Sequence, residues 1–367
     1  HLQSLSLELI PEPTDCNAVL DTLLVSPTIA HKGWVFEQYD HMVQTNTMLR
    51  PGSDAAVLRI KGTDKALAVT TDCNSLYCVL NPYIGAGIAV AEAARNLVCS
   101  GAKPLALTDC LNFGNPERPD IMWQFILAVE GIADACKALK IPVVSGNVSF
   151  YNETRGLSIY PTPVIGMVGL IEKADLAVSQ GFKNEGDAIV LLGETGEELG
   201  GTEYLRAVHH REQGTPPMLN LDREIALQAL VLKAIERRLV QSAHDCSEGG
   251  LAVALAECCL SAPTGQLGAD VTLDAGGLRR DSLLFGESQS RILISVKPDD
   301  LITIKALAVE ANVKLSVLGF VGGRKLTISI RDGQGRANVW IDRPCRDLDI
   351  IWRGALRSAL ESGEERG

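Results

Sequence analysis

The sequence predicts an α/β chain, mixed in the α+β manner, folded as two domains. Three observations carry that reading. At 367 residues the chain exceeds what one hydrophobic core comfortably serves and suits two domains of ordinary size. With 46% apolar and 22% charged residues, it has a globular composition, far from that of disordered chains. Finally, the apolar runs ALAVTT, PLALTD, PVVSG and PVIGMVGLI are interleaved with the helical patterns IAVAEAARNLVCSG and DIMWQFILAVEGIADACKAL, the alternation expected of strands and helices packed in layers.

Element by element, residues 1–30 read as a linker with one short helix. Proline and acid punctuate IPEPTD, and the capped pattern DCNAVLDTLLVSP follows. Residues 31–183 then form the first domain. The pattern breaks over Gly181–Asp187 and restarts with the strand AIVLLGE, which places a boundary there and assigns residues 184–367 to the second domain. In that domain LDREIALQALVLKAIERRL is a helix, with Asp222 and Glu224 at its start and Lys233, Arg237 and Arg238 at its end, as the helix macrodipole favours. RILISV reads as a strand and DDLITIKALAVEA as a helix. KLSVLGFVG and KLTISIR are two short strands joined through Gly-Gly-Arg, and DLDIIWRGALRSALESG is a terminal amphipathic helix.

A formal net charge of -11 leaves no electrostatic footprint for nucleic acid, so no nucleic-acid partner is expected. A phosphorylated substrate would need backbone N–H groups, metal ions or a few placed lysines. The ten cysteines include no CxxC pair, and several lie in apolar stretches such as LVCSGA and LAECCL, where a thiol behaves as a small hydrophobe. A reducing cytoplasm is therefore expected. No apolar run reaches the roughly 18 residues of a membrane span, and HLQSLSLELI lacks the basic start of a signal peptide, so no membrane association is expected. The chain begins at His1, which suggests a fragment or a processed product.

Five stretches gather small residues and acids where a strand or helix ends. Gly52-Ser53-Asp54-Ala55-Ala56-Val57 is followed, after a strand, by Thr71-Asp72-Cys73-Asn74-Ser75. Asp54 and Asp72 there are either Mg²⁺ ligands or turn caps. Ala106–Pro116 delivers Asp109 into a loop with Asn112 and Asn115; the carboxylate can accept from an exocyclic amine, and the asparagines can simply build the turn. The run VVSGNVSFYNET reads as a buried strand ending in Ser145-Gly146-Asn147-Val148-Ser149. Gly146 would let a backbone approach a ligand, Asn147 offers a neutral oxygen to a metal, and Ser149 can bond a phosphate or sugar oxygen; the bland reading is a satisfied bend.

The fourth stretch, His244-Asp245-Cys246-Ser247-Glu248-Gly249-Gly250, runs into the helix LAVALAECCL, whose glycine-rich start would leave N–H groups facing an anion. His244 is either a base or, beside a capping aspartate, structural. Last comes Phe285-Gly286-Glu287-Ser288-Gln289-Ser290 before RILISV; it precedes a strand and so is no GxSxG nucleophile elbow, which argues against a Ser-His-Asp hydrolase. GETGEELGGTEY has neither GxGxxG nor GxxxxGK[ST], and no His/Cys cluster has zinc spacing.

Taken together, TTDCNSLY, AVAEAARNLVCSGAKPLALTDCLNFGNPE, VVSGNVSFYNET, YPTPVIGMVG, HDCSEGGLAVALAE and FGESQSR closely resemble, in this order and over nearly the whole chain, the second half of phosphoribosylformylglycinamidine synthases. These belong to the aminoimidazole ribonucleotide synthetase superfamily. The resemblance implies an N-terminal β-rich domain that pairs to form a barrel, followed by a C-terminal α/β domain. It also implies an ATP-dependent ligase of purine biosynthesis: ATP phosphorylates the amide oxygen of formylglycinamide ribonucleotide, and ammonia displaces the phosphate. That chemistry calls for metal ions and fixed dipoles more than for a nucleophilic side chain.

Carried over position by position, the resemblance makes Asp109 and Gly146 ATP-binding, Asn147 a magnesium ligand and Ser149 a substrate contact. No catalytic residue is carried over. The family's catalytic histidines, an ATP-binding lysine and several magnesium carboxylates lie in a first half that this chain lacks, and Phe36, in Trp34–His41, falls where the catalytic histidine would stand. The partners implied are that N-terminal half and a glutaminase supplying ammonia. Two other readings stay open: a non-catalytic nucleotide-binding half, with Asp54, Asp72, Asp245 and Glu248 as auxiliary nucleotide or metal candidates, and a stand-alone small-molecule kinase that completes its site as a homodimer.

Overall fold

The computed structural model describes residues 4–263 and 265–364; His1, on which the expectation of a fragment rests, lies outside them. Helix α1 (Cys16–Val25) starts at Asp15, whose carboxylate accepts from the backbone N–H of Asn17 at 3.0 Å and of Ala18 at 3.1 Å. The short α2 (Gly33–Phe36) follows. The opening segment was expected to be a linker, but α1 buries Leu20, Leu23 and Leu24 completely in the core of the C-terminal part of the molecule. Its apolar face is what ties it there.

The first sheet contains β1 (Thr47–Leu49), β2 (Ala56–Arg59), β3 (Ala66–Asp72), β4 (Lys103–Asn112), β5 (Val143–Ser149) and, beyond the two-residue strands β6 (Glu153–Thr154) and β7 (Leu157–Ser158), β8 (Thr162–Ile171). Its order is β1-β2-β3-β8-β4-β5, antiparallel except for the parallel pair β4–β5. Helices α3 (Ser75–Leu80), α4 (Pro82–Cys99) and α5 (Pro119–Leu139) connect these strands. Helices α4 and α5 cover one face of the sheet, meeting Ala66, Ala68, Leu107, Ile165 and Met167 in a single core. Gly131 lets the two helices touch: a Cβ there would stand 2.1 Å from the Tyr83 carbonyl oxygen. The opposite face carries Leu58, Val69 and Leu105, each more than a third exposed. The sheet is open, with an apolar face that nothing among the described residues covers.

The run at 143–149, expected to be a buried strand, is instead an exposed edge: Val143, Val144 and Val148 are 46%, 67% and 50% exposed. Its apolar letters match those of a central strand, but its place at the end of the sheet order leaves one side without a neighbour.

The second sheet takes β9 (Ala188–Leu192), β10 (Val240–Asp245), β11 (Ala269–Asp274), β12 (Ile292–Val296), β13 (Leu315–Val321), β14 (Lys325–Arg331) and β15 (Ala337–Pro344) in the order β10-β12-β9-β13-β11-β14-β15. Strands β13 and β14, adjacent in sequence through Gly-Gly-Arg, do not pair with each other. Strand β11 lies between them, antiparallel to one and parallel to the other.

Helices α6 (Glu203–His209), α7 (Leu221–Glu236), α8 (Gly250–Leu260), α9 (Arg280–Phe285), α10 (Leu301–Glu310) and α11 (Cys345–Glu364) complete the fold. Helices pack on both faces of this sheet. In β9, Ile189 and Leu191 join the core of α1, α8 and α11, while Ala188, Val190 and Leu192 join that of α7 and α10. Two-sided burial is the reason its sequence is an unbroken apolar run. Val98 and Cys99, at the end of α4, reach into the second of these cores and lock the two halves of the molecule together.

Candidate functional site

The four residues carried over by resemblance stand together on the β4–β5 pair, where Asp109 lies opposite Gly146, Cys110 opposite Asn147 and Asn112 opposite Ser149. A Cβ on residue 146 would come within 2.1 Å of Asp109 Oδ1, so only glycine permits that carboxylate its position. Alternation along the strands divides the set. Asp109 and Gly146 face the helix side, with Leu107 and Leu111, whereas Asn147 and Ser149 share the bare face, where Ser145 Oγ meets Thr108 Oγ1 at 2.8 Å. A ligand touching all four must wrap around the free edge of β5.

The strand ends are fixed by aromatic contacts. Phe113, just after β4, and Phe150, just after β5, both pack edge-on against Phe125 of α5, with centroids 5.3 and 5.1 Å apart. Asn152 Nδ2 donates to the carbonyls of Phe113 at 3.0 Å and Ser149 at 2.8 Å, while Glu153 accepts from the Asn115 N–H at 3.0 Å and Ser158 Oγ at 2.8 Å. The asparagine and acid that follow Ser149 therefore build the loop. Asn112 and Asn115 do the same, the first by donating to the Cys110 carbonyl at 2.9 Å and the second by accepting from the Glu117 N–H at 2.8 Å. Partial burial alone raises the Asp109 carboxyl above its usual range.

The auxiliary candidates assemble elsewhere, in a cleft of about 540 Å³ between the two sheets. Asp54, Asp72 and Glu248 line it, together with Lys32, Glu92, Asn96 and Glu257. Asp245 lies buried behind them. Asp54 is already engaged, accepting from the Asp245 N–H at 2.9 Å and holding His244 Nδ1 at 3.0 Å. The other imidazole nitrogen meets Glu257 Oε2 at 3.0 Å. Burial works against the imidazolium, but Asp54 and then Glu257 outweigh it and raise the His244 pKa. His244 is thus an internal cation clamped between two acids, the structural one of its two readings.

The N–H groups at the glycine-rich start of α8 are already taken as well. Glu287 accepts from the Gly249 N–H at 2.8 Å, from the Glu203 N–H at 2.9 Å and from the Tyr77 hydroxyl. The sequence presented those N–H groups as free, but the fold turns a carboxylate from another segment onto them.

Behind the cleft sits Arg95, with no exposed surface, its Nε 2.7 Å from Asp245 Oδ1 and its Nη1 2.9 Å from Glu224. Gln289 Oε1 takes another of its N–H groups at 2.9 Å. Asp245 Oδ2 is buried without a partner. Burial first, then mutual repulsion, raises the carboxyls of Asp72 and Glu92; Asp72 feels Glu248 and Asp245, and Glu92 feels Asp72 and Glu248. This crowding of carboxyls is what a cation bound in the cleft would relieve. Among the described residues no three His, Cys, Asp or Glu side chains converge in metal-holding geometry. Magnesium keeps several waters and takes one or two carboxylates plus phosphate, so the Asp72, Glu92 and Glu248 carboxyls of the cleft fit it. Glu92 and Asn96 were missed in the sequence. Their signal is polar residues four apart on one face of a helix that is otherwise apolar.

The chain matches two consecutive family descriptions: AIR synthase related protein, N-terminal domain, over residues 52–171, and AIR synthase related protein, C-terminal domain, over residues 184–331. The chain belongs to the AIR synthase related family. Within it, the phosphoribosylformylglycinamidine synthase subunit PurL of Alkaliphilus metalliredigens is 52% identical over 362 residues, which are 99% of this chain and 48% of that protein. The same subunit from Moorella thermoacetica is 55% identical over 350 residues, 95% of this chain and 46% of that protein. The chain therefore spans about half the length of the curated relatives it matches. A solved structure described as T. maritima PurL complexed with FGAR superposes with a TM-score of 0.75 at 20% identity, covering 93% of this chain and 54% of that one. The expected AIR synthase-like architecture is present as two successive α/β units, the first built on an open six-stranded sheet.

Proposed function

We propose that this AIR synthase-related chain is one half of an ATP-dependent ligase that converts formylglycinamide ribonucleotide to its amidine, and that it supplies part of a composite site. The observation that carries the reading is the free edge of β5. Asp109, Gly146, Asn147 and Ser149 stand there without an opposing wall, beside an uncovered apolar sheet face. Asp109 would accept from the adenine amine and the Gly146 backbone would lie against the nucleotide. Asn147 would give its oxygen to magnesium and Ser149 would bond the ribonucleotide. Magnesium would supply charge neutralisation at the phosphates. The other half of the ligase would cover the bare face and bring the base and the remaining carboxylates, and a glutaminase would bring ammonia. A cytoplasmic setting suits both this reaction and the unpaired cysteines.

The test is phosphate release from ATP with magnesium, ammonia and formylglycinamide ribonucleotide. The purified chain alone is expected to give none, and the chain mixed with a separately produced N-terminal half of a relative is expected to turn over. In the mixture, Gly146→Ala should abolish turnover because its methyl collides with Asp109. Turnover by the chain alone would refute the composite site.

The cleft supports a second, non-catalytic role: retention of a magnesium nucleotide as a structural element. The unpartnered Asp245 Oδ2 and the repelling Asp72–Glu92–Glu248 group favour it. Titration calorimetry with ADP should show binding that EDTA removes and Asp72→Asn weakens at least ~10-fold, the loss of one charged contact. No heat in the presence of magnesium would end this reading.

A further inference from the structure

Residues 34–46 run from α2 to the start of β1 and expose Trp34, Val35, Tyr39, Met42 and Val43, each between 44% and 73%. Single exposed apolar residues are ordinary on a protein surface, but a concentration of this kind marks a surface that something else covers. The bonds of this arm are mostly local: Gln38 Nε2 donates to the Trp34 carbonyl at 2.7 Å, and the Met42 N–H donates to Asp40 Oδ1 at 2.8 Å. Its footing is aromatic, Phe36 meeting His31 edge-on at 5.7 Å and His31 meeting Trp352 at 4.7 Å. Where the arm returns to the sheet, Gln44 and Thr45 both hold left-handed backbone, with φ of 55° and 57°. That conformation is strained for a β-branched threonine, and such strain clusters where a segment is held in one shape for a contact. The next residue, Asn46, has its side-chain oxygen buried without a partner.

We propose that residues 34–46 are a docking arm for the N-terminal half of the ligase, a role that rests on the composite-site reading above and gives that half a second surface besides the bare sheet face. The occupant follows from length and from continuity. Matched relatives carry about as much chain again beyond the part that this chain covers. The arm also leads directly into β1, the edge strand of the sheet whose bare face the same half would cover, so one partner can bridge both. Docking would bury the five apolar side chains. Because Phe36 lines the acid-rich cleft, a half seated on the arm would also wall the mouth of that cleft.

The test mixes the 367-residue chain with a separately produced N-terminal half of a relative and follows hydrogen–deuterium exchange and sedimentation. In the complex, the amides of residues 34–46 should exchange at least ~10-fold more slowly than in the chain alone. The double variant Trp34→Ser/Val43→Ser should bind the half at least ~10-fold more weakly, with its own melting temperature within ~2 °C of wild type because both side chains are about half exposed. Ile302→Ser, at an exposed side chain on α10, should bind as the wild type does. A complex in which the arm still exchanges freely, or which the double variant forms normally, overturns the docking arm and leaves the composite site standing. No complex with the wild-type chain overturns both. Self-association of the chain that the double variant abolishes would give the arm to a second copy and overturn the proposal too. Should the double variant not fold, exchange in the wild-type complex decides.

Discussion

Arg95 shows how much a single side chain can hold. Its guanidinium is the buried counter-charge for Asp245 and Glu224, and removing one partner of such a network leaves uncompensated charges that water cannot reach. Arg95→Met should cost about 3–5 kcal/mol in urea unfolding while filling much the same volume. Glu287 makes a different prediction. Burial, then Glu248, pushes its carboxyl up to about 8 despite its three donors. A folded-state pKa above the unfolded value stabilises the protein at low pH, and the contribution fades as pH rises from about 4.5 through 8. Melting temperature should fall across that window in the wild type and fall less in Glu287→Gln, which keeps an acceptor without the charge. An equal slope in both would place the effect elsewhere. The sequence offered FGESQS only as a motif that was not a nucleophile elbow, because nothing local reveals that Glu287 caps a helix start about forty residues away.

Helix α1 and strand β5 are the elements whose sequence reading changed most. The pattern DCNAVLDTLLVSP gave the helix and its aspartate cap, yet its apolar face has no local partner, so its docking could not be read. Leu23→Ala should destabilise the chain by about 2–5 kcal/mol, as for a core leucine; a change below ~0.5 kcal/mol would restore the linker reading. Strand β5 reads as apolar whether it lies inside a sheet or at its edge, since the exposed side of an edge is decided by which strand is absent. The same limit applies to β13 and β14. Their sequences were recognised as strands, but the insertion of β11 between them depends on residues about fifty positions earlier.

The whole molecule is two α/β units, one of which leaves a sheet face bare. Leu105→Glu should leave melting unchanged to within ~0.5 kcal/mol, because the side chain is 42% exposed, yet, under the proposed composite site, it should block association with a relative's N-terminal half in sedimentation and complementation assays. Unimpaired complementation would mean that this face is not the interface. The sequence by itself determined the strand and helix types, the alternation that builds two α/β units, the resemblance to the synthase and the residues clustered at Asp109 and Gly146–Ser149. Periodicity and motif spacing are local properties of a chain, so they survive being read one residue at a time. Only the tertiary structure decided that the acids of the cleft converge around Arg95, that His244 is held between two carboxylates, and that the four proposed ligand contacts line a free edge. Burial and charge pairing depend on segments far apart in the chain, and only the folded packing brings those segments within reach of one another.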